Sequence, residues 1–173
     1  ETTTTIDAHS GTHVDAPSHF MRDGNTIDKV ALDSLVGTCN VLDLTSVQDK
    51  ITREVLMMHD AMIKAGDIIL LKTANSSLGA TDLFNPAFVY LEASGAQYLQ
   101  EKKIKAVGID YLGVERAQPA HETHLAFMST DIVIIEGLRL QHVQPGTYFF
   151  CCLPLHVIDI EAAPARAVLI EGI

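Results

Sequence analysis

The chain has 173 residues, 47% of them apolar, which is enough for one domain with a sizeable core. Its net charge of −10 disfavours nucleic acid and anionic membrane as partners, because both select basic surfaces. No run approaches the roughly 18 apolar residues of a membrane span, and the opening Glu1-Thr-Thr-Thr-Thr stretch lacks the apolar core of a signal peptide.

His9-Ser-Gly-Thr-His13-Val-Asp15-Ala-Pro-Ser-His19 packs three of the eight histidines and a carboxylate into one short stretch. All four sit at odd positions, so in an extended chain His9, His13 and Asp15 project from one face. A helix would set His13 and Asp15 about 200° apart, and Gly11, Pro17, Thr12 and Val14 also oppose helix. Gly11 has no side chain and leaves room for an ion on that face. A lone histidine is most often a surface or core residue, but three with a carboxylate and an intervening glycine predict a metal site on a strand. Imidazole with carboxylate suits Zn, Mn, Fe or Ni, and the lack of a thiolate argues against a closed structural zinc. His19 lies beyond Pro17, where the strand must bend, and is free to act as a general acid/base beside the metal.

Thr26 to Leu35 reads as a short helical turn and Cys39 to Thr45 as a buried strand. Thr52 to Lys64 has helical character, capped by Thr52 and stopped by Gly66, with His59 on its apolar side as a packing residue. Asp67 to Lys72 is a buried strand, and Asn75 to Asn85, with Gly79 and Asp82, a loop near the site. A helix is expected over Ala87 to Lys103, then a strand over Ala106 to Asp110, whose last residue would cap the next turn. Glu122 to Met128 reads as a short helix, Ile132 to Glu136 as a strand, and Pro145-Gly146 as a turn into Tyr148 to Leu153. Ala165 to Ile170 closes the chain as a strand. His142 is expected to face solvent and His156 to be structural. The three cysteines, with Cys151 and Cys152 adjacent, form no disulfide framework and read as buried thiols of a reducing cytoplasm. Alternating helices and short apolar strands give α/β. With no repeat or linker in view, residues 1–173 are expected to form a single domain.

The motif at 9–19 resembles the signature of the metal-dependent cyclase superfamily, which includes bacterial kynurenine formamidases and isatin hydrolases. The likeness continues in His124-Leu-Ala-Phe-Met-Ser-Thr-Asp-Ile-Val-Ile-Ile-Glu136-Gly-Leu, where His124 and Glu136 stand twelve positions apart as that family requires. It also runs through Leu71-Lys-Thr-Ala-Asn75-Ser, Val107-Gly-Ile-Asp110-Tyr-Leu and the tail from Leu153. The resemblance implies a swivelling β/β/α domain with a central barrel-like mixed sheet flanked by helices. It implies His9, His13, Asp15, His124 and Glu136 as metal ligands, with Asp15 bridging if two ions bind, and His19 as proton shuttle. His121 could share a helix face with His124; the twelve-residue spacing favours His124. Zinc, as one or two ions, is the leading metal and manganese the alternative. Homo-oligomers, dimers or larger, are expected. Members of the family carry a further segment before the motif, so an N-terminal part of the pocket is expected to be missing from this sequence.

A divalent ion held by such residues lowers the pKa of a bound water to about 7 and polarises a carbonyl. The chain has no Gly-x-Ser-x-Gly elbow and no His-Glu-x-x-His helix. The expected activity is hydrolysis of a small amide, formamide or cyclic amide, N-formylkynurenine-like in the leading case. With no Trp and 6% aromatic residues, an aryl pocket would draw on Phe20, Phe84, Phe88 or Tyr111, with Asn75 a further substrate contact. Two other readings stay open: a metal- or small-molecule-binding protein without turnover, which would not need His19, and a metal-dependent oxygenase, for which His9, His13 and Asp15 alone would suffice.

Overall fold

The computed structural model describes residues 1–79 and 83–172. Its strands are β1 (His13–Asp15), β2 (Val36–Leu44), β3 (Lys50–Ile51), β4 (Ile68–Thr73), β5 (Tyr90–Leu91), β6 (Ala106–Ile109), β7 (Val133–Glu136), β8 (Gly146–Pro154) and β9 (Ala162–Ile170). Its helices are α1 (Arg53–Met57), α2 (Ala93–Glu101) and α3 (Glu122–Met128). Seven strands close a barrel in the order β1-β7-β6-β4-β2-β8-β9, with β3 and β5 a separate two-stranded ribbon. The strands β2, β4, β6 and β7 run parallel to their neighbours in that series, and every pairing of β1, β8 or β9 is antiparallel. The architecture is the α/β class that the sequence pattern predicts, with the barrel-like mixed sheet that the family resemblance implies.

Strand alternation divides the apolar residues into two cores. Val14, Val41, Leu70, Ile135 and Phe150 fill one, the barrel interior. Leu42, Leu71, Val107 and Ile134 point the other way and pack with Leu56, Leu99 and Phe127 of the helices. The parallel strands are covered on both faces, which is why Ile68 to Leu71 is an unbroken apolar run. Among the described residues no helix packs on the outer faces of β8 and β9, and Leu153, Val168 and Ile170 stay exposed.

Several elements depart from expectation. The helix expected over 52–64 is α1 followed by a 3₁₀ turn at Asp60–Met62, because only Leu56 of α1 is buried and little packing rewards a longer helix. The helix expected from Ala87 starts at Ala93. Tyr90 and Leu91 pair with β3, and Glu92 caps α2 by accepting from the Ser94 amide. The turn expected at 26–35 is two 3₁₀ turns, Ile27–Lys29 and Leu32–Ser34. Asp82 of the expected 75–85 loop lies outside the described residues. Cys39 and Cys152 are buried, Cys151 half-buried, and all three are free thiols. His142 and His156 are both exposed. No helix of the described residues is long and apolar enough to cross a membrane.

Two glycines cross where the β1–β7 ladder ends. Gly11 (φ +61°) turns the chain into β1, and Gly137 (φ +68°) turns it out of β7. A Cβ on Gly137 would stand 2.1 Å from the Gly11 carbonyl oxygen. The left-handed conformation alone costs a side chain about 1–2 kcal/mol, and the clash adds to it. Gly137→Ala should therefore lower the unfolding free energy by at least about 2 kcal/mol. Urea denaturation measures this, and an unchanged midpoint would show that the crossing yields at no cost.

Candidate metal centre

Val14 points into the barrel, so its neighbours His13 and Asp15 point out. The antiparallel register sets His13 opposite Glu136 and Asp15 opposite Ile134, bringing the Glu136 carboxylate onto the same outer face. Helix α3 packs on β7 and lays His124 over that face. All four side chains are buried. His13 Nε2 lies 3.4 Å from Asp15 Oδ1 and 3.4 Å from Glu136 Oε2. His124 Nε2 lies 3.6 Å from Glu136 Oε1 and 3.9 Å from Asp15 Oδ2.

His9 reaches the cluster by another route than the one expected. It sits in a turn before Gly11 rather than on β1, because the positive φ of Gly11 breaks the extended chain. Its Nδ1 still comes 3.2 Å from Asp15 Oδ1, and its Nε2 stands 3.6 Å from Glu161 Oε1. The two Asp15 oxygens thus face different partners: Oδ1 faces His9 and His13, and Oδ2 faces His124.

This donor set fits a divalent cation. Donors about 2.0–2.2 Å from a tetrahedral ion stand roughly 3.3–3.6 Å apart, close to the separations here. His13 Nε2 and both Asp15 oxygens are buried without a hydrogen-bond partner. Each such neutral group costs about 1–3 kcal/mol, and a charged one more, so the site calls for a cation between them. His13, Asp15 and Glu136 offer three ligand atoms within 4.8 Å of one another, and so do His9, Asp15 and His19.

His19 follows Pro17 on a 3₁₀ turn, with its ring centroid 4.4 Å from His9 and 5.9 Å from His124. Burial lowers its pKa, which favours the neutral imidazole. Phe20 meets His19 edge to face with centroids 4.2 Å apart and lies tilted at 4.4 Å from both His121 and His124, walling one side of the cluster. Asn75 does not join it: its amide donates to the Val89 carbonyl and accepts from the Val89 amide, so it clips the loop rather than facing a ligand.

His121 and His124 point in different directions. His121 occupies the N-cap of α3, its side chain is half exposed, and its Nδ1 lies 2.7 Å from Glu115 Oε1. Only His124 aims a ring nitrogen at Asp15 and Glu136. Glu115 itself had no place in the sequence motifs; the one signal for it is a carboxylate in the loop leading to the histidine-bearing helix. Its Oε1 also lies 2.9 Å from His124 Nδ1, off the line of a full hydrogen bond.

Burial alone would lower the His124 pKa, but Glu115 and Glu136 overcome it and push it up to about 9. Burial likewise opposes ionisation of Glu136, yet His124 and His13 hold it down at about 2. His13 is raised by Glu136 and Asp15 against its burial, and His9 by Asp15. The carboxylates thus favour positive charge on the imidazoles around them.

The chain matches the family model described as "Putative cyclase" over residues 2–116. It is 35% identical over 175 residues to cyclase-like protein 3 of Oryza sativa subsp. japonica, a match that takes in 96% of this chain and 64% of that protein. It is 34% identical over 168 residues to the kynurenine formamidase of Salinibacter ruber, covering 95% of this chain and 76% of the relative. The chain thus spans under two thirds of the rice relative's length. Among solved structures, a potential metal-dependent hydrolase with cyclase activity superposes with a TM-score of 0.90 at 44% identity, over 95% of this chain and 80% of that one. Isatin hydrolase A from Labrenzia aggregata shares the fold, with a TM-score of 0.85 at 21% identity, over 97% and 75% of the two chains.

Cation uptake should be proton-linked. At neutral pH His124, with its pKa of about 9, carries a proton that an incoming ion must displace. Affinity should therefore rise about tenfold or more per pH unit between about pH 6 and 8, and uptake should release at least about one proton per ion. Calorimetry with Zn²⁺ and with Mn²⁺ in buffers of different ionisation enthalpy reads both. A pH-independent affinity would mean that His124 is neutral in the free protein.

Proposed function

The chain belongs to the cyclase family, and from that premise we propose that it is a divalent-metal-dependent hydrolase of a small amide, formamide or cyclic amide, cleaving a C–N bond other than a peptide bond. The observation that carries this reading is the convergence of His9, His13, Asp15, His124 and Glu136, with buried oxygens and nitrogen left open among them and His19 alongside. Kynurenine formamidases among the relatives support a formamide substrate.

An ion held there would acidify a water and polarise the carbonyl to be attacked. The protein does the rest. Asp15, with one oxygen toward His9 and His13 and the other toward His124, would be the carboxylate available to hold a second ion if two were bound. Glu136 is fixed by the Val114 amide, which donates to its Oε1 at 2.6 Å, so it presents its oxygens to His13 and His124 without rearranging. His19, half-buried and with its pKa lowered by that burial, would accept the proton of the attacking water and return it to the departing nitrogen. Phe20 offers a face against which an arylformamide ring can stack.

Zinc is the metal this reading favours, with manganese the alternative, and an N-formylkynurenine-like arylformamide is the leading substrate. The convergence of five donors, rather than His9, His13 and Asp15 alone, weighs against an oxygenase. Residues 1–173 are read as one hydrolase domain, acting on a small molecule with no nucleic acid or membrane partner. A homodimer or larger assembly fits the uncovered apolar face of β8 and β9. A cytoplasmic setting fits the three free thiols.

His19→Ala should keep its metal and lose about 10²–10⁴-fold in kcat on N-formylkynurenine, whereas His13→Ala should lose the metal itself. Metal analysis beside the hydrolysis assay separates the two. Undiminished turnover by His19→Ala would remove that residue from the mechanism.

A further inference from the structure

Resting on the metal-site reading, we infer that Glu115 is a positioning residue that sets the tautomer of His124 and so makes its Nε2 available to the ion. The Glu115 side chain is 7% exposed and lies on the far side of the His124 ring from Asp15 and Glu136. One oxygen, Oε1, stands 2.9 Å from His124 Nδ1 and 2.7 Å from His121 Nδ1. The other, Oε2, accepts from the backbone amides of Thr123 (3.1 Å) and His124 (3.4 Å) and from Gln118 Nε2 (3.0 Å).

The chemistry follows from charge. A neutral imidazole carries one proton, on Nδ1 or on Nε2, and only the bare nitrogen can ligate a metal. A carboxylate oxygen 2.9 Å from Nδ1 repels a lone pair there and attracts a proton, even off the ideal hydrogen-bond line. The proton is thereby held on Nδ1, and the Nε2 lone pair points at Glu136 and Asp15. Carboxylate–histidine–metal relays of this kind raise ligand basicity and fix ring orientation. Glu115 also ties the first turn of α3 to the loop before it, so the ring and the helix that carries it are held by one group. Its contacts use two chemically different halves: charge toward the imidazoles, and simple acceptor capacity toward the backbone.

That division gives a test. In Glu115→Gln the amide oxygen can still accept from the Thr123 and His124 amides, while the NH₂ donates toward Nδ1 and drives the proton to Nε2. Glu115→Asp keeps the charge but shortens the reach. Long-range ¹H–¹⁵N correlation spectra of the metal-free protein, recorded at a pH where His124 is neutral, read the tautomer. Competition with a chromophoric chelator reads Zn²⁺ affinity. We expect Nδ1–H in the native chain and in Glu115→Asp, Nε2–H in Glu115→Gln, and a loss of 10- to 100-fold in Zn²⁺ affinity for Glu115→Gln that exceeds the loss for Glu115→Asp. A merely structural role predicts the reverse order, with the shorter Asp the worse of the two, and that order would overturn the inference, as would an unchanged tautomer. If the tautomer switches but the native chain binds no Zn²⁺, Glu115 still positions His124 and it is the hydrolase reading that fails.

Discussion

His13 faces Glu136 across the antiparallel β1–β7 ladder, and the arrangement of the whole site hangs from that register. Because side chains alternate along a strand, a slip of one residue would send His13 and Asp15 into the barrel and bring Val14 out. A strand of three residues cannot hold its own register. It is held by pairing with β7 on one side and β9 on the other, which is also the closure of the barrel. The Gly11–Gly137 crossing fixes the end of that ladder: no side chain fits at Gly137, so the two chains approach at one offset only.

The site lies on the outside of the barrel yet out of water. Strand alternation keeps the barrel interior apolar, and α3 roofs the outer face over β7. Ionisable groups are therefore concentrated in a thin layer between sheet and helix, where burial strengthens every charge contact. Two carboxylates of that layer, Asp15 and Glu136, must meet positive charge. The same imidazoles can provide it as cations or can lend their lone pairs to an ion, and they cannot do both. This competition, rather than any single distance, couples the protonation of the site to its occupancy.

The helices expected at 52–64 and 87–103 illustrate where local pattern misleads. Both segments have apolar residues at helical spacing, but Tyr90 and Leu91 find strand partners in Lys50 and Ile51, and beyond Met57 the chain passes through exposed Met58 and a 3₁₀ turn before Ile63 returns to the core. Pairing partners forty residues away carry no local signature. The strands β4, β6 and β7 were legible because burial on both faces writes an unbroken apolar run into consecutive residues. Glu115 was not legible for a different reason: a loop carboxylate looks the same whether it meets water or an imidazole.

The sequence by itself determined the α/β class, the sharing of one strand face by His13 and Asp15, and the bend at Pro17 that sets His19 apart, because each depends on backbone geometry over a few residues. Only the tertiary structure decided that His9 arrives through a turn, that His124 rather than His121 faces the carboxylates, that Asn75 is tied to Val89, and that Glu115 stands behind His124. Those contacts are set by how the barrel closes and how α3 lies across it, which no spacing within one segment can encode.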